Sequence, residues 1–209
     1  IETVRVRTPM IVEQARKRMT DALEKVLKDP PEPARIAQEI AINHPERVRK
    51  LVLACTSAGG DRTKYLHPDM IKAAGIKEDV TKDSMVDINI EKESSAAIYV
   101  SFNGKIARMF SLPLSKIFAI YVRLAGGQGY LGQMNAIRGH STLDRLGLIV
   151  APTLVITGTE DRLLLPRCSD VIASRIPNAK LVKIEHGGHA FFVEKRSSFN
   201  KEILNFLRE

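Results

Sequence analysis

The sequence has 209 residues, of which 44% are hydrophobic and 27% are charged, a composition that excludes a disordered chain and indicates a folded globular protein. Its formal net charge at pH 7 is +8, but the basic residues are scattered, and the densest group, Arg16-Lys17-Arg18, lies beside Glu13. We therefore predict a solvated basic surface and no nucleic-acid partner.

The first part of the sequence contains two predicted strands and two predicted helices. Residues 1–7 alternate between apolar and polar side chains, which favours a short strand. Residues 10–28 carry apolar side chains at the spacing of an amphipathic helix that ends before Pro30-Pro31. A second helix is predicted over 34–43, and the continuous apolar run in 50–55 predicts a buried strand.

The middle of the sequence has a different character. Its predicted helices are short, over 94–100, 104–110 and 114–124, and no segment alternates like a strand. The glycine-rich run 126–129 follows a helix rather than a strand, so it lacks the context of a phosphate-binding loop. We interpret this region as a helical insertion that forms a lid.

Strands and helices alternate regularly after residue 143. The pattern predicts strands over 153–157 and 180–184 and helices over 169–175 and 194–207. Such alternation implies parallel strand pairing with right-handed crossovers. The predicted fold class is therefore α/β, with a mostly parallel sheet flanked by helices.

A carboxylate and an imidazole follow the last two predicted strands. Asp161 comes after 153–157 in the run Gly-Thr-Glu-Asp, and His189 comes after 180–184 in the run Gly-Gly-His. Open parallel sheets bind their ligands at the carboxyl ends of the strands. A carboxylate that orients an imidazole and stabilises its cation makes that imidazole an effective base. We therefore predict that Asp161 and His189 are catalytic.

Each of these assignments has an alternative. Asp161 taken alone could cap the turn before 163–166, and Glu160 is a rival acid. His186 stands near His189, and we interpret it as a side chain of the loop wall.

The nucleophile that would complete a triad is missing, because the sequence contains no Gly-x-Ser-x-Gly motif. Ser57 precedes Ala58-Gly59 after the predicted strand 50–55, but the glycine needed before the serine is absent. We therefore predict that Ser57 is not the nucleophile. Cys55 is interpreted as an inert buried thiol.

Two cysteines, Cys55 and Cys168, lie far apart and lack the spacing of a metal site. We predict that both are reduced thiols, that no metal is bound, and that the protein is cytoplasmic. The longest apolar stretches, such as 146–155, are interrupted by Gly or Pro and are too short to span a bilayer. No membrane partner is therefore expected.

Several segments in the same order resemble the C-terminal half of the α/β-hydrolase superfamily, in particular its lidded esterase and enol-lactonase-like branch. They are residues 36–41, 44–48, 51–56 and 151–158, together with Asp161 and Gly187-Gly188-His189. The resemblance implies a partial α/β-hydrolase fold with its core in 35–61 and 142–209 and a helical lid in 62–141. Residues 1–34 do not match the family. No metal or organic cofactor is implied.

The resemblance implies hydrolysis of a small-molecule ester or lactone by a Ser-His-Asp mechanism, of which only the acid Asp161 and the base His189 are present in the sequence. The resemblance also places the loop at Ser57 at the mouth of the site, where Ser57 is expected to contact substrate. Phe110 and Tyr121 are predicted to line an apolar acyl pocket, although such residues can equally form the core of a lid. The alternative is a catalytically inactive remnant that acts as a structural or dimeric binding protein. A homodimer would cover the exposed sheet edge. Whether the chain is an enzyme stays open.

Overall fold

The computed structural model describes residues 33–59, 66–74, 90–103, 105–124 and 140–209. Three predictions lie outside these ranges: the strand over 1–7, the helix over 10–28 and the glycine-rich run 126–129. The strands are β1 (Leu51–Ala54), β2 (Thr153–Gly158) and β3 (Ala179–Ile184), and the α-helices are α1 (Pro33–Asn43), α2 (Pro68–Ala74), α3 (Ile90–Val100), α4 (Lys105–Leu124), α5 (Arg167–Arg175), α6 (Phe191–Glu194) and α7 (Arg196–Arg208).

The described strands form one parallel sheet in the order β1-β2-β3. Leu51 of β1 is in register with Thr153 of β2, which is in register with Ala179 of β3. All six residues of β2 are buried, as the centre of a parallel sheet covered on both faces requires. The predicted α/β fold with a parallel sheet is confirmed.

Side chains of β2 alternate between two hydrophobic clusters because successive residues of a strand point to opposite faces. On one face, Val155 packs in a cluster with Ala41 of α1 and Ile172 of α5. On the other face, Leu154 and Ile156 join a cluster that is completed by residues of α6 and α7, by β3 and by the residue that follows β1: Phe191, Phe206, Ile184 and Cys55. The helices therefore cover both faces of the sheet and hold the strand ends in place.

The helices α2, α3 and α4 all lie between β1 and β2 in the sequence, where a helical insertion was predicted. Their cluster includes Met70 of α2 and Val100 of α3, and it also takes in Leu164 and Cys168 from the region after β2. The insertion is thus packed against the segment that follows the central strand. Its function as a lid stays a prediction.

The predicted break between two helices at residues 111–113 is wrong, because α4 runs without interruption through Pro113. A proline inside a helix removes one backbone hydrogen bond, and packing against a neighbouring helix can compensate for that loss. Here α4 packs along α3. None of the helices in the described ranges is long and apolar enough to cross a membrane.

A charged cluster ties α1 to the segment before β2. Arg145 donates from both terminal nitrogens to the carboxylate of Glu39, at 2.9 and 2.5 Å, and Nε2 of His140 lies 2.7 Å from the same carboxylate. Hydrogen bonding to Arg145 lowers the pKa of Glu39 from 4.5 to about 2, with further contributions from His140 and Asn43, while burial opposes the change. The charged form of Glu39 is therefore favoured by folding.

Replacing Glu39 with glutamine is expected to lower the free energy of unfolding at pH 7 by about 1–2 kcal/mol. This value is smaller than the pKa shift alone would give, because Glu39 and Arg145 are partly exposed and water screens their interaction. Since the pKa of Glu39 is depressed in the folded state, its contribution is present above about pH 4.5 and disappears as the pH falls toward 2. Urea denaturation of both proteins at pH 7 and pH 3 measures the difference.

The matched control is Glu46→Gln, since the side chain of Glu46 is 69% exposed and its Oε1 lies as far as 3.9 Å from Nδ1 of His44. This change should alter stability by less than about 0.5 kcal/mol. Equal stability of Glu39→Gln and the unchanged protein at pH 7 would show that the cluster contributes nothing.

Candidate active site

Asp161 and His189 are hydrogen bonded to each other at the carboxyl end of the sheet. The distance from Nδ1 of His189 to Oδ2 of Asp161 is 2.8 Å. The side chain of Asp161 is 1% exposed and that of His189 is 22% exposed. The carboxylate is therefore shielded from water, whereas the imidazole is partly open to a ligand.

The second carboxylate oxygen of Asp161 caps the turn that follows it. Oδ1 accepts hydrogen bonds from the backbone amides of Leu163 and Leu164, at 2.8 and 2.9 Å. Asp161 thus caps the turn with one oxygen and accepts a hydrogen bond from His189 with the other, and its catalytic role stays a prediction. The turn holds the carboxylate rigidly while it faces the imidazole.

The loops that carry the two residues are joined through their backbones. The amide of Thr159 donates to the carbonyl of Ile184 at 3.0 Å, and the amide of Glu160 donates to the carbonyl of Gly187 at 2.9 Å. Gly158 allows this approach, because a Cβ atom there would lie 2.1 Å from the carbonyl oxygen of Gly187. A glycine at the end of β2 is therefore required for the two loops to meet.

This arrangement suits an imidazole that acts as a general base. When Nδ1–H of His189 donates to the carboxylate of Asp161, the lone pair of the ring lies on Nε2 and can accept a proton. The buried carboxylate also stabilises the imidazolium that forms when the proton is taken up. The pair can therefore accept a proton and return it without moving.

The rival acid Glu160 faces a different histidine. Its Oε1 lies 2.6 Å from Nδ1 of His186, and both side chains are exposed. The side-chain amide of Asn103, which follows α3, donates to the backbone carbonyl of Glu160 at 2.9 Å and to its Oε2 at 3.1 Å. Within the acid loop, Asp161 rather than Glu160 is thus the partner of His189.

Ser57 lies in the loop after β1 and is 3% exposed. The side-chain amide of Gln38 donates to the backbone carbonyl of Ser57 at 3.2 Å, and the hydroxyl of Thr142 donates to Gln38 in turn. The backbone amide of Thr142 donates to the carbonyl of Ala58 at 2.8 Å. These buried contacts fix the loop, and the predicted contact of Ser57 with substrate stays a prediction.

The two aromatic residues predicted to contact substrate both belong to α4. The side chain of Tyr121 is exposed, and its ring centroid lies 6.5 Å from that of Phe118. Phe110 is placed within the helix, and its side chain lies outside the described part of the structure. An acyl pocket formed by these residues stays a prediction.

Cys55 is a neighbour of the pair that the sequence analysis missed. It follows β1 directly with a φ of 47°, and its thiol donates to the backbone carbonyl of His189 at 3.1 Å. Burial, together with the charge of Asp161, raises the pKa of the thiol, which therefore stays protonated. The pairing of β1 with β2 could have revealed this neighbour, since residues that follow adjacent parallel strands lie at the same sheet edge.

An open cleft of about 460 Å³ adjoins the acid loop. Six of its eight lining residues have polar or charged side chains, and the lining comes from the insertion and from the segment after β2: His67, Asn103, Thr159, Glu160, Asp161, Arg162, Leu165 and Pro166. Nε of Arg162 donates to Asp69 at 2.6 Å, so the charge of this arginine is balanced within the protein. The cleft is large enough for a small polar group beside Asp161.

Comparison with known proteins identifies the same fold. Residues 114–196 match a family model described as the alpha/beta hydrolase fold, and this range includes both Asp161 and His189. The enol-lactonase from Burkholderia xenovorans LB400 has a similar structure, with a TM-score of 0.62 and 22% sequence identity over 84% of this chain and 62% of that chain. The predicted partial α/β-hydrolase fold is confirmed.

Two curated relatives are longer than the chain. The poly(3-hydroxyalkanoate) depolymerase of Ectopseudomonas oleovorans is 31% identical over 174 residues, which cover 83% of this chain and 57% of the depolymerase. A protein of Serratia proteamaculans named as a carbamate hydrolase, RutD, is 24% identical over 172 residues, which cover 82% of this chain and 61% of RutD. The match therefore spans about three fifths of each relative.

Proposed function

We propose that Asp161 and His189 are the acid and the general base of a serine hydrolase that acts on small-molecule esters or lactones, a proposal supported by the match of residues 114–196 to the alpha/beta hydrolase fold and by the similar proteins. The observation that carries the proposal is the 2.8 Å hydrogen bond between the imidazole and a carboxylate that is almost fully buried. The names of the similar proteins, a polyester depolymerase, a carbamate hydrolase and an enol-lactonase, support hydrolysis of an acyl bond.

The proposed reaction follows from the positions of the two nitrogens of His189. Nε2 takes the proton of a serine hydroxyl while the serine oxygen attacks the carbonyl carbon of the substrate, and Asp161 stabilises the resulting imidazolium. The imidazolium then gives this proton to the leaving oxygen, and the C–O bond of the substrate breaks. In the second half-reaction His189 deprotonates a water molecule, which releases the acyl group and restores the serine.

The nucleophilic serine is proposed to lie in sequence beyond these 209 residues. The sequence has no Gly-x-Ser-x-Gly motif, and the relatives contain a further two fifths of chain that the match does not cover. Removal of the nucleophile abolishes most of the activity of such a triad, because its members act as a unit. The inactive remnant is the alternative if no serine is supplied.

We propose that the substrate has a polar part and an apolar part, which bind to different regions of the protein. Its polar part fits the cleft beside Asp161, whose walls include Asn103 and Arg162. Phe110 and the exposed Tyr121, both on α4, are proposed to contact an acyl chain, and the loop at Ser57 is proposed to lie at the mouth of the site, where it contacts substrate. A cytoplasmic location and a homodimer formed along a sheet edge also remain proposals.

Labelling with a fluorophosphonate tests the proposed function. Protein expressed from its native gene is treated with the reagent, digested, and mapped by mass spectrometry. We expect one labelled serine outside the 209 residues, and no label in the His189→Ala variant, because the serine then lacks its base. Failure to label any serine would contradict the proposed serine hydrolase and favour the inactive remnant.

Ser57→Ala is expected to change neither the labelling nor the rate of 4-nitrophenyl butyrate hydrolysis by more than about twofold, since Ser57 is proposed to contact substrate and not to attack it. Steady-state kinetics of the variant and of the unchanged protein, both expressed from the native gene, measure the effect. Loss of the label in Ser57→Ala would identify this residue as the nucleophile and contradict the proposed origin of the serine.

A further inference from the structure

Cys55 lies where the two candidate catalytic residues meet. Its thiol donates to the carbonyl of His189 at 3.1 Å, and one potential metal-binding atom from each of Cys55, Asp161 and His189 lies within 4.8 Å of the other two. Within the part of the chain that the structure describes, no other three His, Cys, Asp or Glu residues converge in this way. The spacing of the two cysteines in the sequence had predicted no metal site.

We infer that Cys55, Asp161 and His189 bind one divalent metal ion of the zinc type, and that the bound ion prevents His189 from acting as a base. A thiolate sulfur, an imidazole nitrogen and a carboxylate oxygen are the ligands that zinc prefers in proteins. Magnesium and calcium select oxygen ligands, so a site with sulfur and nitrogen discriminates against both.

The charges of the three ligands match a divalent ion. Cys55 as a thiolate and Asp161 as a carboxylate supply two negative charges, and neutral His189 adds none. Cys55 is 8% exposed and Asp161 is 2% exposed. An uncompensated charge would be unfavourable at this depth, whereas a complex with no net charge is tolerated.

The geometry requires only a small adjustment. Zn–S and Zn–N bonds of about 2.3 and 2.0 Å in a tetrahedral site place the sulfur and the nitrogen about 3.5 Å apart. Starting from separations within 4.8 Å, each ligand atom moves by about 1 Å or less. The partly exposed imidazole of His189 leaves an approach from solvent and a fourth position for water.

Metal binding rearranges the protons of the pair. The ion binds Nδ1 of His189, Oδ2 of Asp161 and the sulfur of Cys55, and it releases the Nδ1 proton and the thiol proton to solvent. The imidazole then regains a proton on Nε2, so this nitrogen has no lone pair to accept the proton of a serine.

The loss of activity rests on the proposed function, whereas metal binding itself does not. We therefore test binding by titrating the purified 209-residue chain with Co²⁺, which reports on a cysteine ligand through a thiolate-to-cobalt charge-transfer absorption band. We expect this band at one equivalent of Co²⁺ and its displacement by Zn²⁺. Cys55→Ser and Cys55→Ala should lose the band. Removing a residue that is only hydrogen bonded to a metal ligand lowers metal affinity about 10- to 100-fold, so removing the ligand Cys55 should lower the Zn²⁺ affinity by at least that much.

The matched controls are Cys168→Ser and His186→Ala. Both variants should keep the band because neither residue belongs to the proposed metal site: Cys168 is the other cysteine, and His186 pairs with Glu160. Circular dichroism confirms that each variant is folded. A band that is absent from the unchanged chain, or that persists in both folded Cys55 variants, would overturn the metal site. A band that requires Cys55, in a protein without hydrolase activity, would support the metal site and count against the proposed function alone.

Discussion

Asp161→Asn is expected to lower kcat for hydrolysis of 4-nitrophenyl butyrate about 10⁴-fold in protein expressed from its native gene, the loss typical of a triad acid that is neutralised in place. An asparagine can still accept the hydrogen bonds from Leu163 and Leu164, so the turn is kept. The amide no longer stabilises the imidazolium of His189 or selects its tautomer. Steady-state kinetics measure the loss, and a thermal melt confirms that the variant is folded.

The matched control for this prediction is Glu160→Gln, which neutralises the adjacent carboxylate. Because Glu160 pairs with His186 and not with His189, we expect its kcat to change by less than about tenfold. If both variants lost activity equally, the rate would depend on the general charge of the loop and not on one oriented carboxylate. Full activity of Asp161→Asn would contradict the proposed mechanism.

Gly158→Ala is expected to destabilise the fold by about 3 kcal/mol or more, within the range for steric strain at a fixed backbone contact. The added Cβ would lie 2.1 Å from the carbonyl oxygen of Gly187 and 2.6 Å from that of Gly188. Neither atom can move away by rotation of a side chain, so the loops that carry Asp161 and His189 must separate. Chemical denaturation of the purified chain measures the stability.

Gly147→Ala is the matched control, since the nearest atom to an added Cβ there is 3.8 Å away. This substitution should change stability by less than about 1 kcal/mol. If Gly158→Ala proved as stable as Gly147→Ala, the close contact between the two loops would be absent in solution.

Much of the fold around the site could be predicted from the sequence because its signals are local. The apolar run of β2 and the alternation of strands with helices after residue 143 predict parallel pairing, and this places Asp161 and His189 at one edge of the sheet. The 2.8 Å contact between them agrees with that expectation. The match to the alpha/beta hydrolase fold confirms the architecture.

Other features depend on contacts that periodicity does not describe. Pro113 was interpreted as a helix boundary, but α4 continues through it where packing along α3 supports the helix. The position of Cys55 follows from β1 pairing with β2, which brings together residues more than a hundred positions apart. The bonds of Glu160 with His186 and Asn103 likewise arise from loops that meet only in the folded chain.

Nitrogen NMR of the histidine side chains in the ¹⁵N-labelled chain tests whether Asp161 orients His189. We expect the neutral imidazole of His189 to carry its proton on Nδ1 and to leave Nε2 unprotonated, with a low-field Nδ1–H signal that disappears in Asp161→Ala. A proton found on Nε2 instead, or an imidazole spectrum that is unchanged by Asp161→Ala, would show that Asp161 does not orient His189, and the proposed base would be contradicted.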